Sequence, residues 1–164
     1  LHVHDEVVKG MNAGKALHVL QQDITLPAEL DVGQGYGKVN WSIRAIWESY
    51  AGWFKHESTT ELYNVPRAAV HADLVELAGA DALVERAAAK AASGLHEEAL
   101  HLLDIVLSVD ADHAGAKAVA LRVHEHLLAE AETCCTTGNF WLTGWLQQQI
   151  RTLRGGANPP LSFR

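Results

Sequence analysis

Gly35-Tyr36-Gly37-Lys38-Val39-Asn40-Trp41-Ser42-Ile43-Arg44-Ala45-Ile46-Trp47-Glu48-Ser49-Tyr50-Ala51-Gly52-Trp53-Phe54 is the stretch that decides the fold. Three glycines between positions 33 and 37 rule out a regular helix there, because glycine carries the largest backbone entropy cost on ordering. From Val39 the pattern changes. Ile43, Ile46, Trp47 and Tyr50 recur at offsets of three, four and seven, which is one face of a helix. The sequence therefore predicts a loop over about 31–38 and an aromatic helix over about 39–54, with Trp47 and Tyr50 buried on its inner face.

The same period extends in both directions. Val3, Val7 and Met11 repeat every four residues, predicting a helix from about His2 to Ala13, with Gly14 as its C-cap. A short helix is expected over about 15–23. Residues 55–65 read as a polar loop, and Pro66 suits the first turn of a helix running to about Ala78. Further helices are predicted over about 80–93, 95–108, 113–133 and 139–153. Val84, Ala87, Ala88 and Ala91 share a face of one helix. Leu95, Ala99, Leu102, Leu103, Val106 and Leu107 line the next, and Val119, Val123 and Leu127 the third. Small residues opposite Leu and Val let helix axes approach closely. The run Ala-Ser-Gly-Leu-His-Glu-Glu-Ala-Leu over 92–100 resembles a tetratricopeptide hairpin, but one copy does not make a solenoid. The expectation is an all-α mixed bundle of about seven or eight helices with one tetratricopeptide-like hairpin. A helical domain over 1–154 and a flexible tail over 155–164 are expected, because the tail reads Gly-Gly-Ala-Asn-Pro-Pro from position 155.

Composition narrows the function. The 164 residues are 48% hydrophobic, a globular rather than a disordered balance. A net charge of -7 argues against a nucleic-acid partner, which needs clustered Lys and Arg. No apolar run reaches the ~20 residues that span a bilayer, so no membrane partner is expected. The N-terminus shows no secretory pattern, and the missing starting Met fits a fragment or a processed product. The compartment stays open. Cys134 and Cys135 are adjacent, a spacing that strains a disulfide, so two reduced thiols are expected.

None of the candidate motifs is complete. His2-Val3-His4-Asp5 starts like a His-x-His-x-Asp-His zinc motif, but Glu6 and Val7 follow, and on a helix the two imidazoles diverge. His124 and His126 share that problem, and His96 and His101 are five apart. Gly33–Lys38 lacks the Gly-Lys-Ser/Thr ending of a phosphate loop, although a helix start behind it could favour an anion. Glu97-Glu98, Glu130 and Glu132 read as solvated faces. No catalytic constellation and no metal site are expected in this chain.

The glycine loop and aromatic helix together resemble the Tyr-Gly-x-[Val/Leu]-x-x-x-x-[Arg/Lys]-Ala-[Ile/Val]-x-x-x-Tyr-x-Gly-Trp-[Phe/Tyr] core of the alkyl sulfatase dimerisation domain. Asn12-Ala13-Gly14, Leu62-Tyr63-Asn64-Val65-Pro66, Val75-Glu76-Leu77-Ala78-Gly79-Ala80 and Asn139-Phe140-Trp141-Leu142-Thr143-Gly144 are similar to further elements of that family, in order. The resemblance covers roughly residues 4–150. It implies a homodimer, and a parent enzyme whose upstream metallo-β-lactamase-fold domain holds two zinc ions and hydrolyses sulfate esters, with no cofactor in this chain. It makes Tyr36, Lys38, Asn40, Trp41 and Arg44 candidates to face the parent's substrate, and Trp53 and Phe54 candidates for the dimer interface. One departure stands out. The family's Ser-His-Asn carries a His implicated in holding sulfate, and here Trp41 replaces it, offering one N–H donor and no charge. A tetratricopeptide-like interaction module is the alternative reading. A small enzyme built on the glycine loop and nearby histidines ranks third.

Overall fold

The computed structural model describes residues 1–31, 33–55, 57–133 and 138–156. Among these the fold is all-α, with eight α-helices: α1 (His2–Asn12), α2 (Leu17–Asp23), α3 (Val39–Ala51), α4 (His71–Ala78), α5 (Ala80–Ala92), α6 (His96–Val109), α7 (Ala114–Thr133) and α8 (Phe140–Leu153). The expected cysteine pair and most of the expected tail, from residue 157, lie outside the described residues. The chain divides into two compact units, Leu1–Asn64 with Glu132–Trp141, and Val65–Ala131 with the residues from Leu142 on.

In the first unit, α1 and α2 both pack on α3. Its core is Val7 of α1, Leu17 and Leu20 of α2, and Ile43 and Trp47 of α3, with Val3, Met11, Ile24 and Ile46 around it. These positions follow the helical period read from the sequence. Gly14 takes φ +72°, so α1 stops where a left-handed residue is needed and glycine supplies it at no steric cost.

Two expectations fail in α3. The helix ends at Ala51 rather than Phe54, because Gly52 turns to φ +70° and its N–H closes the last turn on the Glu48 carbonyl. Tyr50 is not buried but 60% exposed. The core is closed by Trp47 one turn earlier, and the Tyr50 hydroxyl reaches the side chain of His4 instead, at 2.8 Å.

The loop after α3 has more order than its polarity suggests. Thr59–Leu62 forms a 3-10 helix with a capping box between Ser58 and Glu61. The Glu61 carboxylate also accepts from the backbone N–H of Lys55 at 2.7 Å and of Glu57 at 3.2 Å. A second 3-10 helix, Arg67–Val70, leads from Pro66 into α4.

In the second unit, α6 packs against both α4 and α5. Val84 and Ala87 of α5, Ala99, Leu103 and Val106 of α6, and Ala116, Val119, Ala120 and Val123 of α7 make one core cluster. The small-against-large pairing of α5 and α6 is the one read from the sequence. Leu95 departs from it, lying exposed as the N-cap of α6 rather than on its inner face. His71 and Ser108 join α4 to α6 through a 2.8 Å hydrogen bond.

Candidate functional site

The glycine loop ahead of α3 has no regular structure over its described residues, and its backbone is held by side chains. Gly33 takes φ +84°, and its N–H donates to the Asp31 carboxylate at 3.2 Å. The Gln34 side-chain oxygen accepts from Val39 N–H at 2.9 Å, satisfying a first-turn donor of α3 that has no partner within the helix. Lys38 is the N-cap, in extended conformation, and its carbonyl accepts from Trp41 and Ser42. With Val39 N–H used by Gln34, this helix start offers less to an anion than its glycines suggest.

A second segment, more than a hundred residues later in sequence, completes the loop. The Asn139 side-chain amide donates to the Gln34 carbonyl at 2.7 Å and to the Gly37 carbonyl at 3.1 Å. Phe140 N–H donates to the Gly35 carbonyl at 2.7 Å. The Phe140 ring stands 5.9 Å from that of Tyr36 and 5.5 Å from that of Trp141. Gly33, Gln34, Gly35, Tyr36, Gly37, Gly138 and Phe140 line an open depression of about 650 Å³.

Of the five substrate-facing candidates, only Tyr36 lines this depression, and it is 79% exposed. Lys38 is half-buried at the helix start. Asn40, Trp41 and Arg44 follow on the first turns of α3, with side chains reaching solvent. Trp41 is 38% exposed, and the Asn40 carbonyl accepts from the Gln21 side chain at 2.9 Å. The five are thus neighbours along one loop-to-helix segment rather than the wall of one closed pocket. The interface candidates lie beyond the other end of α3. Trp53 is 70% exposed, Phe54 is half-buried, and their rings are 5.9 Å apart.

Several of the histidines have identifiable neighbours. His4 bridges Asp5 at 3.0 Å and Tyr50. His2 contacts the Thr25 carbonyl at 3.3 Å, so the two imidazoles serve separate partners. His113 Nδ1 accepts from Ala116 N–H at 3.2 Å, capping α7. His124 contacts the Ala120 carbonyl at 2.7 Å. The rings of His96 and His126 lie 3.9 Å apart, and His126 meets Glu130 at 3.2 Å. Among the described residues no group of three or more His, Cys, Asp or Glu side chains is arranged to hold a metal ion. A second depression, of about 410 Å³ beside α1 and α2, is lined by Lys9 and Lys15, which pair with Glu6 and Asp23. No helix among the described residues is long and apolar enough to cross a membrane.

Sequence reasoning missed the role of Asn139. Its place in a family-like stretch was visible, but not the loop it would meet. The polar run Gln34 to Lys38, with no apolar anchor of its own, was the available signal that something elsewhere must hold it.

The family described as alkyl sulfatase dimerisation matches residues 18–150. A linear primary-alkylsulfatase of Pseudomonas sp. (strain ATCC 19151) is 30% identical over 132 residues, covering 77% of this chain and 25% of that protein. A second linear primary-alkylsulfatase, from Pseudomonas sp., is 26% identical over 155 residues, 92% of this chain and 22% of that protein. The chain thus spans about a quarter of the length of the curated relatives it matches. Among solved structures, the stereoselective inverting sec-alkylsulfatase Pisa1 from Pseudomonas sp. superposes with a TM-score of 0.79 at 24% identity. That match covers 97% of this chain and 25% of the other, a likeness that speaks for the fold.

Proposed function

Because the chain belongs to the alkyl sulfatase dimerisation family, we propose that it is the homodimerising all-α region of an alkyl-sulfatase-like hydrolase, whose zinc-binding metallo-β-lactamase-fold domain lies upstream. The observation that carries this reading is the family match over residues 18–150, on a chain 97% of which superposes on a quarter of a sec-alkylsulfatase. The same match gives no support to a peptide-binding tetratricopeptide module.

In this reading the chain has two tasks. The aromatic pair just beyond α3, exposed Trp53 with half-buried Phe54, meets the same pair or a neighbouring patch of a second copy across a two-fold axis. The loop-to-helix segment bearing Tyr36, Lys38, Asn40, Trp41 and Arg44 faces the substrate of the catalytic domain. Lys38 and Arg44 bring positive charge suited to a sulfuric or similar ester, Tyr36 and Asn40 bring hydrogen-bonding groups, and Trp41 brings an apolar face with one donor. With Trp41 in place of an imidazole, the ester is one whose recognition does not need a histidine there. Zinc, held by the upstream domain, supplies water activation. This chain's own residues hold no metal and perform no bond cleavage.

The test is hydrolysis of a linear primary alkyl sulfate, measured with and without added zinc. This chain alone is expected to show no turnover. The full-length hydrolase is expected to show zinc-dependent turnover that weakens when Arg44 or Lys38 is replaced by Ala. Zinc-dependent turnover by the 164-residue chain alone would overturn the proposal.

A further inference from the structure

Asn139 is 3% exposed, the one buried polar or charged residue among the described residues. Burying an amide is unfavourable unless its hydrogen bonds are made. Here both amide hydrogens are used, on the Gln34 and Gly37 carbonyls. The next residue adds a third bond, from Phe140 N–H to the Gly35 carbonyl. Three carbonyls of a four-residue segment are therefore held by two consecutive residues of the chain. The segment has little else to order it, because Gly35 and Gly37 carry no side chain to pack. Tyr36 sits between the held carbonyls of Gly35 and Gly37, with its ring against Phe140. Gln34, held through its carbonyl, in turn caps Val39 through its side chain.

We propose that Asn139 is the positioning residue of this loop: by clasping the Gln34 and Gly37 carbonyls it sets the pose of Tyr36 and the start of α3 at Lys38. The proposal rests on the reading above that this loop faces substrate. It makes the Asn139-Phe140 pair a specificity element acting through the loop, with no contact to substrate required of Asn139 itself.

The replacement that isolates this role is Asn139→Asp. The shape is kept, but an ionised carboxylate offers acceptors only and faces two carbonyl oxygens. Burial beside those oxygens raises the pKa of the introduced carboxyl, and once protonated it regains one donor. Amide hydrogen exchange on this chain reads the loop directly through the Val39 and Phe140 amides. In Asn139→Ala, protection of those two amides is expected to fall by about tenfold or more, while amides of the second unit's core keep theirs. In Asn139→Asp the same loss is expected at neutral pH, with protection, corrected for intrinsic exchange, partly recovering as pH falls. Equal loss throughout the chain, or a pH response identical to Asn139→Ala, would overturn the proposal.

Kinetics of the full-length hydrolase on a linear primary alkyl sulfate separate this inference from the reading beneath it. If Tyr36→Ala and Asn139→Asp both lower kcat/KM, both stand. If Tyr36→Ala lowers it and Asn139→Asp leaves it unchanged, the positioning role fails. If neither changes it, the substrate-facing reading fails.

Discussion

Gly10 of α1 and Leu20 of α2 are in such close contact that a methyl group on the Gly10 Cα would come within 2.2 Å of Leu20 Cδ2. Both residues are buried, and Leu20 belongs to the core of the first unit. The glycine is therefore a packing requirement inside a helix, where its backbone freedom is otherwise a cost.

Gly10→Ala should consequently destabilise the chain despite alanine's better helix propensity. Propensity favours the change by about 1 kcal/mol. Overpacking of a core costs about 1–3 kcal/mol, toward the low end where, as here, the obstructing atom is the far end of a Leu20 side chain that borders an open depression. A net loss of up to about 2 kcal/mol in denaturant unfolding is expected. Adding Leu20→Ala should recover less than its own cavity cost, and a double-mutant cycle reads that coupling.

Leu103 lies among Val84, Ala87, Ala99, Val106, Val119, Ala120 and Val123 in the second unit. Alanine neighbours cannot reach across a void, so Leu103→Ala should cost about 3–5 kcal/mol. Leu95→Ala, at the exposed N-cap of α6, should cost under about 1 kcal/mol. Parallel urea titrations of the two variants check both values.

The His4 imidazole sits between an acceptor-only carboxylate and a hydroxyl. Asp5 requires the proton on Nδ1, which leaves Nε2 of the neutral ring to accept from the Tyr50 hydroxyl. Nitrogen chemical shifts should report that tautomer. Tyr50→Phe should weaken this preference and cost no more than about 1 kcal/mol, because the pair is exposed.

Lys117 donates to the Asp112 carboxylate at 2.6 Å and, by that bond and its charge, holds the carboxyl below the ordinary aspartate value of 3.8. The folded pKa is depressed, so the stabilisation is present above pH 3.8 and is lost as pH falls through the folded value. Lys117→Ala should move the Asp112 titration midpoint up, followed by carbon-13 NMR of the carboxyl. An unchanged midpoint would assign the shift to another group.

The fold was largely legible, and the site was not, for one physical reason. Helical period is local, so Val7, Ile43, Trp47, Leu103 and Val123 could be placed on inner faces from spacing alone. Tyr50 and Leu95 met the same period but sit near helix ends, where the neighbouring helix no longer covers them. The aromatic helix looked longer than it is because Trp53 and Phe54 continue its composition, while the positive φ of Gly52 ends it. The clasp of Asn139 on Gln34 and Gly37 depends on a contact 102 and 105 residues apart in sequence, which no local pattern encodes. Of the candidate site, Tyr36 was found on the depression, whereas the residues that shape it came from the structure.

Light scattering coupled to size exclusion, with zinc measured on the same peak, tests the central claim most directly. A homodimerising region that holds no metal should elute as a zinc-free species of twice 17.8 kDa. A monomer carrying stoichiometric zinc would contradict the account, because the histidines would then form a metal site and the family resemblance would not describe what this chain does.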